Sequence, residues 1–457
     1  MNNSKQLLED ALCLLKEIEL LGYEAYIVGG MVRDFLLKKE ISDIDIATNC
    51  PIENLENHFI THDIGRSKDF GILAIVFNNS VFEVAQFRED GNYSDSRRPD
   101  SIKIASSLKE DVRRRDFTVN ALAMNSALEI IDYVGGQKDL ENRLIRAVGD
   151  PYKRFSEDVL RIMRAARFVA RDEFQLDENT RIAAQKQAEN IIKVSPERIR
   201  NEFMKAGKRS GPEFAKFILS LDDLKVLPII LPELTSLKHR FHNLKHHPEG
   251  REVFIHVIEC LKCLPEGDPL SKMATLLHDI GKSTAFQIAD GYMTFHRHEI
   301  DGAKLAEKIC KRFKFNKYET DAIVFSAKNH MKFNLLLDMK PAKIARLVSS
   351  IHFGTLVNVA YADEFSRGET FMYYNTFKEK LNRANEIAEK WKSKLNSSRQ
   401  KLVSGNLIME VLNITPSKQV GEIKRRVEDR IINESINYTD IEKVKKVIEE
   451  VYNELLE

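Results

Sequence analysis

Between Ala25 and Thr48 the chain reads AYIVGGMVRDFLLKKEISDIDIAT. An apolar run ends in Gly29 and Gly30. A short segment carrying Arg33 follows, and two acids, Asp43 and Asp45, stand one apolar residue apart. Residues i and i+2 of a strand point to the same face. Asp43 and Asp45 therefore present carboxylates side by side, while Ile44 and Ile46 point into a core. Neighbouring acids repel each other unless a cation sits between them, and Mg²⁺ prefers such carboxylates together with substrate phosphates. Exposed N–H groups at a glycine turn leading into a helix suit a triphosphate, and Arg33, one turn in, is placed to reach it. Glu83, in VFEVAQF, sits mid-strand with apolar neighbours on both sides. It is either a solvated outer-face residue or a third metal ligand. Three carboxylates with one or two Mg²⁺ ions are what an in-line nucleotidyl transfer needs. Taken alone, D-x-D is equally an ordinary surface turn.

The other constraint is the distribution of histidine. Of the 12 histidines, His58 and His62 fall in the first 238 residues and the rest lie between His239 and His352. A separate central module with its own chemistry is implied. The 457 residues are 43% hydrophobic and 30% charged with a net charge of +1, as expected of a soluble protein of about three domains. A near-neutral total leaves nucleic-acid binding to local basic patches. The N-terminal segment MNNSKQLLEDALCLLKEIELLG mixes acids into its apolar pattern and is not a signal peptide. No run is long enough for a membrane span. Five scattered cysteines argue against a disulfide framework and for a reducing, cytoplasmic setting. Cys260 and Cys263 form a C-x-x-C that reads as two helix residues, since no second pair completes a zinc site.

Up to about residue 150 the pattern mixes strands (YEAYIVGG, DIDIAT, GILAIVF, VFEVAQF) with helices, read over MVRDFLLKK and DFTVNALAM. From Pro151 the pattern is helical. SEDVLRIMRAARFVARD reads as one helix with Ser156 as N-cap and acids in its first turn. The last 85 residues or so read as charged amphipathic helices, for packing or for docking a partner.

The stretch from Ala25 to Thr48 resembles the signature of the class II (bacterial-type) CCA tRNA nucleotidyltransferase and poly(A) polymerase family, a branch of the polymerase β-like nucleotidyltransferases. The resemblance continues through RRRDFTVNALAM, IDYVGGQKDLENRLIRAVGDP, SEDVLRIMRAARF and SPERIRNEFMKA, five motifs in order over residues 25 to 206. It implies a multidomain α+β chain. A nucleotidyltransferase head with a mixed sheet and helices is expected over 1–150, an all-α neck over 151–235, an HD domain over 236–370, and a helical, tRNA-binding tail over 371–457. It further implies template-independent addition of CCA to tRNA from CTP and ATP, with Mg²⁺ on Asp43 and Asp45 and no obligate protein partner. A-only or poly(A) addition is the alternative. FREDGNYSDSRRPDSIKIASSLKED, with Arg97 and Arg98, reads as a mobile loop close to the form kept by CCA-adding members.

Asp158 and Arg161 are three residues apart and share a face if helical. Asp accepts from an exocyclic amino group and Arg donates to ring acceptors, so the pair can read cytosine and adenine and reject guanine and uracil. The resemblance gives these positions that role, with Glu157 orienting Arg161 and Arg164 and Arg167 as further nucleotide contacts. Arg115 and Asp116 match residues that hold sugar and phosphates, Arg114 is the neighbouring candidate, and Asn120 is placed to support Asp116.

In the histidine module, LLHDIGK carries His278, Asp279 and Lys282, with His256 upstream and His296, His298, His330 and Asp363 downstream. Imidazole with carboxylate suits Mn²⁺, Fe²⁺, Ni²⁺ or Mg²⁺. The order H…HD…D resembles the HD phosphohydrolase superfamily, which implies His256, His278, Asp279 and Asp363 as ligands and a second activity on RNA 3′ ends, unless the domain is a scaffold. KHRFHNLKHHPEGR (238–251) is either a solvated loop or part of an RNA-contacting or metal-edge surface.

Overall fold

The computed structural model describes residues 2–41, 43–62, 71–90, 102–105, 107–242, 252–289, 292–366, 371–396 and 403–456. The chain forms two compact units. The first comprises Met1–Glu202 and Lys216–Pro232, and the second Phe203–Ala215 and Glu233–Glu457.

The first unit is built on a mixed sheet. Its strands are β1 (Ala25–Val28), β2 (Asp45–Thr48), β3 (Ile60–His62), β4 (Ile72–Phe77) and β5 (Ser80–Gln86), then, beyond the hairpin β6 (Arg88–Asp90) and β7 (Ile102–Ile104), β8 (Leu122–Met124) and β9 (Ile130–Asp132). The order is β3-β4-β5-β2-β1-β8-β9, seven strands in all. Every pairing in it is antiparallel except β2 with β5, which is parallel. Alternation sorts the side chains. Ile27, Ile46, Leu73, Phe82 and Val84 pack against Ala11, Leu14, Leu15 and Ile18 of α1 (Asn2–Leu20). Val28, Ala47, Phe87 and Ala123 form a second cluster with Leu108 and Val112 of α4 (Leu108–Arg113). Helices α2 (Gly30–Leu36) and α3 (Ile52–His58) connect strands, and α5 (Gly136–Glu141) follows β9.

The four strands read from sequence all form. DFTVNALAM does not form a helix. It gives a single 3₁₀ turn, Thr118–Asn120, and then β8, all three of whose residues are buried. Burial on both sides of the sheet removes the alternation that marks a strand, and the short apolar run mimics a helix face.

Past residue 150 the unit is helical, with α6 (Pro151–Glu157), α7 (Leu160–Ala170) and α8 (Glu178–Gln187). The expected single helix from Ser156 is broken at Asp158, whose backbone is extended at φ −145° and ψ 102°. Ser156 lies inside α6, and Asp150 caps that helix by accepting from Tyr152 N, with Pro151 in its first turn.

Helices α9 (Pro196–Gly207) and α10 (Gly211–Asp223) carry the chain across both units, and α11 (Leu227–Ile230) and α12 (Pro232–Thr235) follow. In the second unit, α13 (Val253–Lys262), α14 (Pro269–Leu277), α15 (His298–Arg312), α16 (Lys317–Asn334), α17 (Pro341–Val348) and α18 (Phe353–Phe365) bring the histidines together. The tail helices are α19 (Phe371–Asn396), α20 (Gly405–Leu412), α21 (Lys418–Asn433) and α22 (Ile441–Leu456). Val420, Ile423, Val427 and Ile431 of α21 meet Val444, Val447, Ile448 and Val451 of α22 around Trp391, so these apolar stripes serve packing. Among the described residues no helix is long and apolar enough to cross a membrane.

The turn after Asp279 packs on α15 through two glycines. A Cβ at Gly281 would stand 2.0 Å from the His298 carbonyl oxygen and 2.5 Å from Gly302 N. Gly281→Ala should cost at least about 1–3 kcal/mol through forced separation. A lower urea midpoint is expected, and an unchanged one would mean that this contact does not hold α15 in place.

Candidate active site and a buried histidine cluster

In the head, the parallel register sets Asp45 directly beside Glu83. Asp43 and Asp45 are exposed and alternate with buried Ile44 and Ile46, as the pattern at Asp43–Ile46 requires. Three acids therefore gather where the start of β2 meets the middle of β5. Loss of water around the Asp45 carboxyl pushes its pKa up, Arg115 opposes this, and Asp43 adds to the rise. Glu83 is likewise raised, by burial and then by the charge of Asp45. Mutual repulsion of this kind fits the acids to a divalent cation.

Gly29 ends β1 at φ +79°, and a Cβ there would lie 3.1 Å from Arg115 Nη1 and 4.0 Å from Asp45 Oδ2. Glycine lets the backbone come against both a guanidinium and an acid of the cluster. Arg115 is held by Asp111 at 3.1 Å, as is Arg114 at 2.6 Å, and the buried Arg115 Nε has no hydrogen-bond partner.

Arg33 is 5% exposed. It pairs with Asp34 at 3.0 Å, donates to Asn120 and lies 5.2 Å above the Phe168 ring. Asn120 donates to Asp116 at 3.2 Å, and Arg164 donates to the other oxygen of Asp116 through Nε at 2.7 Å. Arg164 and Arg167 also stack on Phe168, at 5.6 and 4.7 Å, and Arg167 pairs with buried Glu202. Arg33 thus braces the wall of the site rather than extending from it.

Asp158 sits at the break between α6 and α7. It accepts from Leu160 N at 3.1 Å and from Arg198 at 2.7 Å. Arg161, 9% exposed, donates to Glu157 at 2.8 Å, as expected, and to the carbonyls of Arg154 and Arg114. Asp158 thus precedes the helix that carries Arg161, and its carboxylate is fixed by Leu160 N and Arg198 rather than by helical periodicity. Residues 91–101, including Arg97 and Arg98, lie outside the described residues.

The second unit gathers His242, His256, His278, His298 and His330 with Asp279 and Asp363. His256 is 3.2 Å from Asp363 and 3.7 Å from Asp279. Asp279 turns Oδ1 to His298 at 3.3 Å and His330 at 3.6 Å, and Oδ2 to His278 at 3.4 Å and Lys282 at 2.7 Å. Nδ1 of His278, His298 and His330 lies 2.7–2.9 Å from the carbonyls of Thr275, Phe295 and Ala327. Those bonds fix the tautomer, since each Nδ1 must donate. Each Nε2 is then a lone pair facing the cluster. Nε2 of His298 and His330 face each other at 3.2 Å, and Nε2 of His278 is buried without a hydrogen-bond partner. Facing lone pairs are stable only around a cation, so the donor set fits a metal ion. Burial lowers the His330 pKa to about 3 and lowers that of His278, which keeps both neutral as ligands must be. Burial works against ionised Asp279, but Lys282 holds its carboxyl well below the usual range. His296 is exposed and outside the cluster.

Comparison with known proteins agrees with this architecture. Residues 25–146 match the poly A polymerase head domain, 173–238 the probable RNA and SrmB-binding site of polymerase A, and 254–351 the HD domain. The chain thus carries a poly A polymerase head domain, a polymerase A RNA-binding region and an HD domain in that order. A CCA-adding enzyme of Lactobacillus delbrueckii subsp. bulgaricus is 41% identical over 260 residues, 56% of this chain and 64% of that protein. One from Geobacillus sp. is 46% identical over 218 residues, 48% of this chain and 53% of that protein. The chain thus spans less than two thirds of the length of these curated relatives. The Bacillus stearothermophilus CCA-adding enzyme in complex with CTP superposes with a TM-score of 0.68 at 24% identity, covering 97% of this chain and 99% of that one. The Thermotoga maritima CCA-adding enzyme complexed with tRNA gives 0.57 at 19% identity, covering 99% and 98%. Both show a shared fold.

Sequence reading missed Asp111 in the head, Phe168, Arg198 and Glu202 beyond it, and His242 in the cluster, and it named His298 and His330 in the histidine module without assigning them as ligands. Asp111 stands three and four residues before the arginines it holds, a spacing that could have been read. The rest come together only through tertiary packing.

Asp116 is held at about 2, against an ordinary 3.8. Burial would raise it, and the charge and hydrogen bonds of Arg164 more than offset that. A depressed carboxylate stabilises the fold above its unfolded pKa, and the contribution fades as pH falls through the folded one. It is worth roughly 2 kcal/mol at neutral pH. The stability gap between wild type and Asp116→Asn should be open above about pH 4 and should close towards pH 2 in thermal melts. A gap constant across that range would contradict the pairing.

Proposed function

We propose that this chain adds C and A to the 3′ end of tRNA, using CTP and ATP without a nucleic-acid template. The observation that carries the reading is the juxtaposition of Asp45 and Glu83 across β2 and β5 beside the Gly29–Gly30 turn. The CTP-bound and tRNA-bound structures of similar CCA-adding enzymes support the choice of substrates.

Asp43 and Asp45 would hold Mg²⁺, which when bound supplies Lewis-acid polarisation of the phosphate oxygens. Glu83, its pKa raised by burial and by Asp45, accepts the proton of the tRNA 3′-hydroxyl. That oxygen forms a bond to the α-phosphorus as the bond to the β-phosphate oxygen breaks. Pyrophosphate leaves against the N–H groups at Gly30 and the guanidinium of Arg115. Asp158, its orientation fixed by Leu160 N and Arg198, accepts from the exocyclic amino group of cytosine or adenine, and Arg161 donates to the adjoining ring acceptor. Arg33, Asp116 and Arg164 keep the wall in shape around Phe168.

The test is incorporation of labelled CTP and ATP into tRNA transcripts ending before CCA, after CC and after CCA. CTP on the first, ATP on the second and nothing on the third is expected. Extension of the CC-ended transcript alone would make the chain an A-adding enzyme. Asp45→Ala should reduce incorporation at least roughly a hundredfold.

The fixed tautomers of the histidine cluster favour a second reading, a metal-dependent phosphohydrolase in the HD domain. His256, His278, Asp279 and Asp363 would hold the ion. Lys282, 2.7 Å from Asp279 and 3.0 Å from His242, is placed to donate a proton to a leaving oxygen. Opening of a 2′,3′-cyclic phosphate at an RNA 3′ end to a terminal phosphomonoester should survive Asp45→Ala and be lost in Asp279→Asn. Equal loss in both variants would contradict an independent site.

A further inference from the structure

Arg154, in α6, makes bonds that its own helix does not need. Nε donates to Val148 O at 3.2 Å and Nη2 to Arg113 O at 2.7 Å, while Nη1 donates to both Arg114 O at 3.2 Å and Glu157 Oε2 at 2.7 Å. Arg113 ends α4 and Arg114 caps it. Carbonyls at a helix C-terminus lack donors within the helix and carry the negative end of its dipole, so this mostly buried guanidinium grips the end of α4 from outside. Arg161 takes hold of two of the same acceptors from α7. Its Nη1 donates to Glu157 Oε2 at 2.8 Å and its Nη2 to Arg114 O at 3.1 Å.

The Arg114 carbonyl therefore lies between two functions. Its peptide bond leads directly to Arg115, whose Nη1 stands against the Gly29 turn beside Asp45. On the other side is Arg161. Among the described residues, Arg161 gives both N–H groups of Nη1 and one of Nη2 to the protein, which leaves Nε–H and one Nη2–H for a base. Cytosine offers that edge the lone pair of N3. Uracil offers N3–H, a donor against a donor, and turns O4 towards the Asp158 carboxylate. Uracil thus pushes Arg161 back, and any shift of Arg161 strains its bond to Arg114 O.

We propose that Arg154 is a positioning residue that couples the identity of the base to the hold on the triphosphate. It pins the Arg114–Arg115 peptide and Glu157 together, so that a matching base leaves Arg115 in place and a mismatched one displaces it. The inference rests on the reading of Asp158 and Arg161 as the base-reading pair. Arg154 acts through Arg161 and Arg115 and not by touching the nucleotide. Selectivity then resides in the transfer step as well as in binding, because a displaced Arg115 no longer steadies the departing pyrophosphate. Lysine cannot take this place. An ammonium keeps the charge but not the planar fork that reaches three carbonyls and a carboxylate at once.

The experiment is single-turnover incorporation of CTP and of UTP by the full-length protein into a tRNA transcript ending before CCA, with the maximal rate and the half-saturating concentration measured separately. In the wild type, UTP should be penalised in the maximal rate. A penalty confined to half-saturation would overturn the coupling, and that result needs no variant to fold. Arg154→Lys should keep half-saturation by CTP and slow CTP transfer at least roughly tenfold, the scale of small misplacements remote from the chemistry. UTP, which already displaces Arg115, should slow less, so the ratio of CTP to UTP rates falls. Equal slowing of both nucleotides would reduce Arg154 to a brace of the fold and overturn the proposal. Asp158→Ala tests the reading beneath it. A wild-type CTP to UTP ratio in that variant would overturn the base-reading pair itself. Loss of the ratio there, with the ratio preserved in Arg154→Lys, would leave the pair standing and overturn the coupling alone.

Discussion

The head depends on a repulsion. Parallel pairing of β2 with β5 places Asp45 against Glu83, and the alternation of β2 adds Asp43 to the same end. Left alone, acids in one place repel one another, and the carboxyls of Asp45 and Glu83 are both pushed up, by burial and then by their acidic neighbours. Arg115, held by Asp111 and lying against the glycine turn, offsets part of this. The rest of the field is open to a divalent cation and a triphosphate. Strand register, the glycine at Gly29 and the arginines after α4 are therefore parts of one arrangement.

A second arrangement, around Phe168, is fully satisfied by the protein itself. Three guanidiniums lie on its ring, and the chain of bonds from Arg33 through Asn120 and Asp116 to Arg164 runs beneath it. Such a network is rigid because each member has a charged partner in low dielectric. It joins α2 and the turn at Thr118–Asn120 to α7, the helix after Asp158. The residues proposed to read the base are thereby held in register with the residues proposed to do the chemistry.

Much of this was legible in the sequence where local geometry suffices. Alternation in DIDI placed two acids on one face, and the break after Ala25–Val28 followed from Gly29. Glu83 stood out as an acid in an apolar strand, although only the register shows which acid it meets. The break at Asp158 was hidden because the apolar spacing continues across it, while the true helix start, Asp150–Pro151, lay six residues upstream of the serine that mimics a cap. β8 was hidden because it is buried on both faces. In the second unit, H…HD…D gave four of the clustered residues. His298 and His330 could be seen as histidines but not assigned, since only the packing of α15 and α16 turns their Nε2 atoms towards Asp279.

The most direct measurement is binding of Mn²⁺, as a spectroscopic stand-in for Mg²⁺, in the presence of a non-hydrolysable CTP analogue, comparing the wild-type protein with Asp45→Asn. If the acid cluster is the metal site, the wild type binds Mn²⁺ and analogue together. The variant then loses the metal signal of the head while still binding the analogue through Asp158 and Arg161. Equal Mn²⁺ binding with the analogue in both proteins would contradict the assignment of the acids and with it the mechanism built on them.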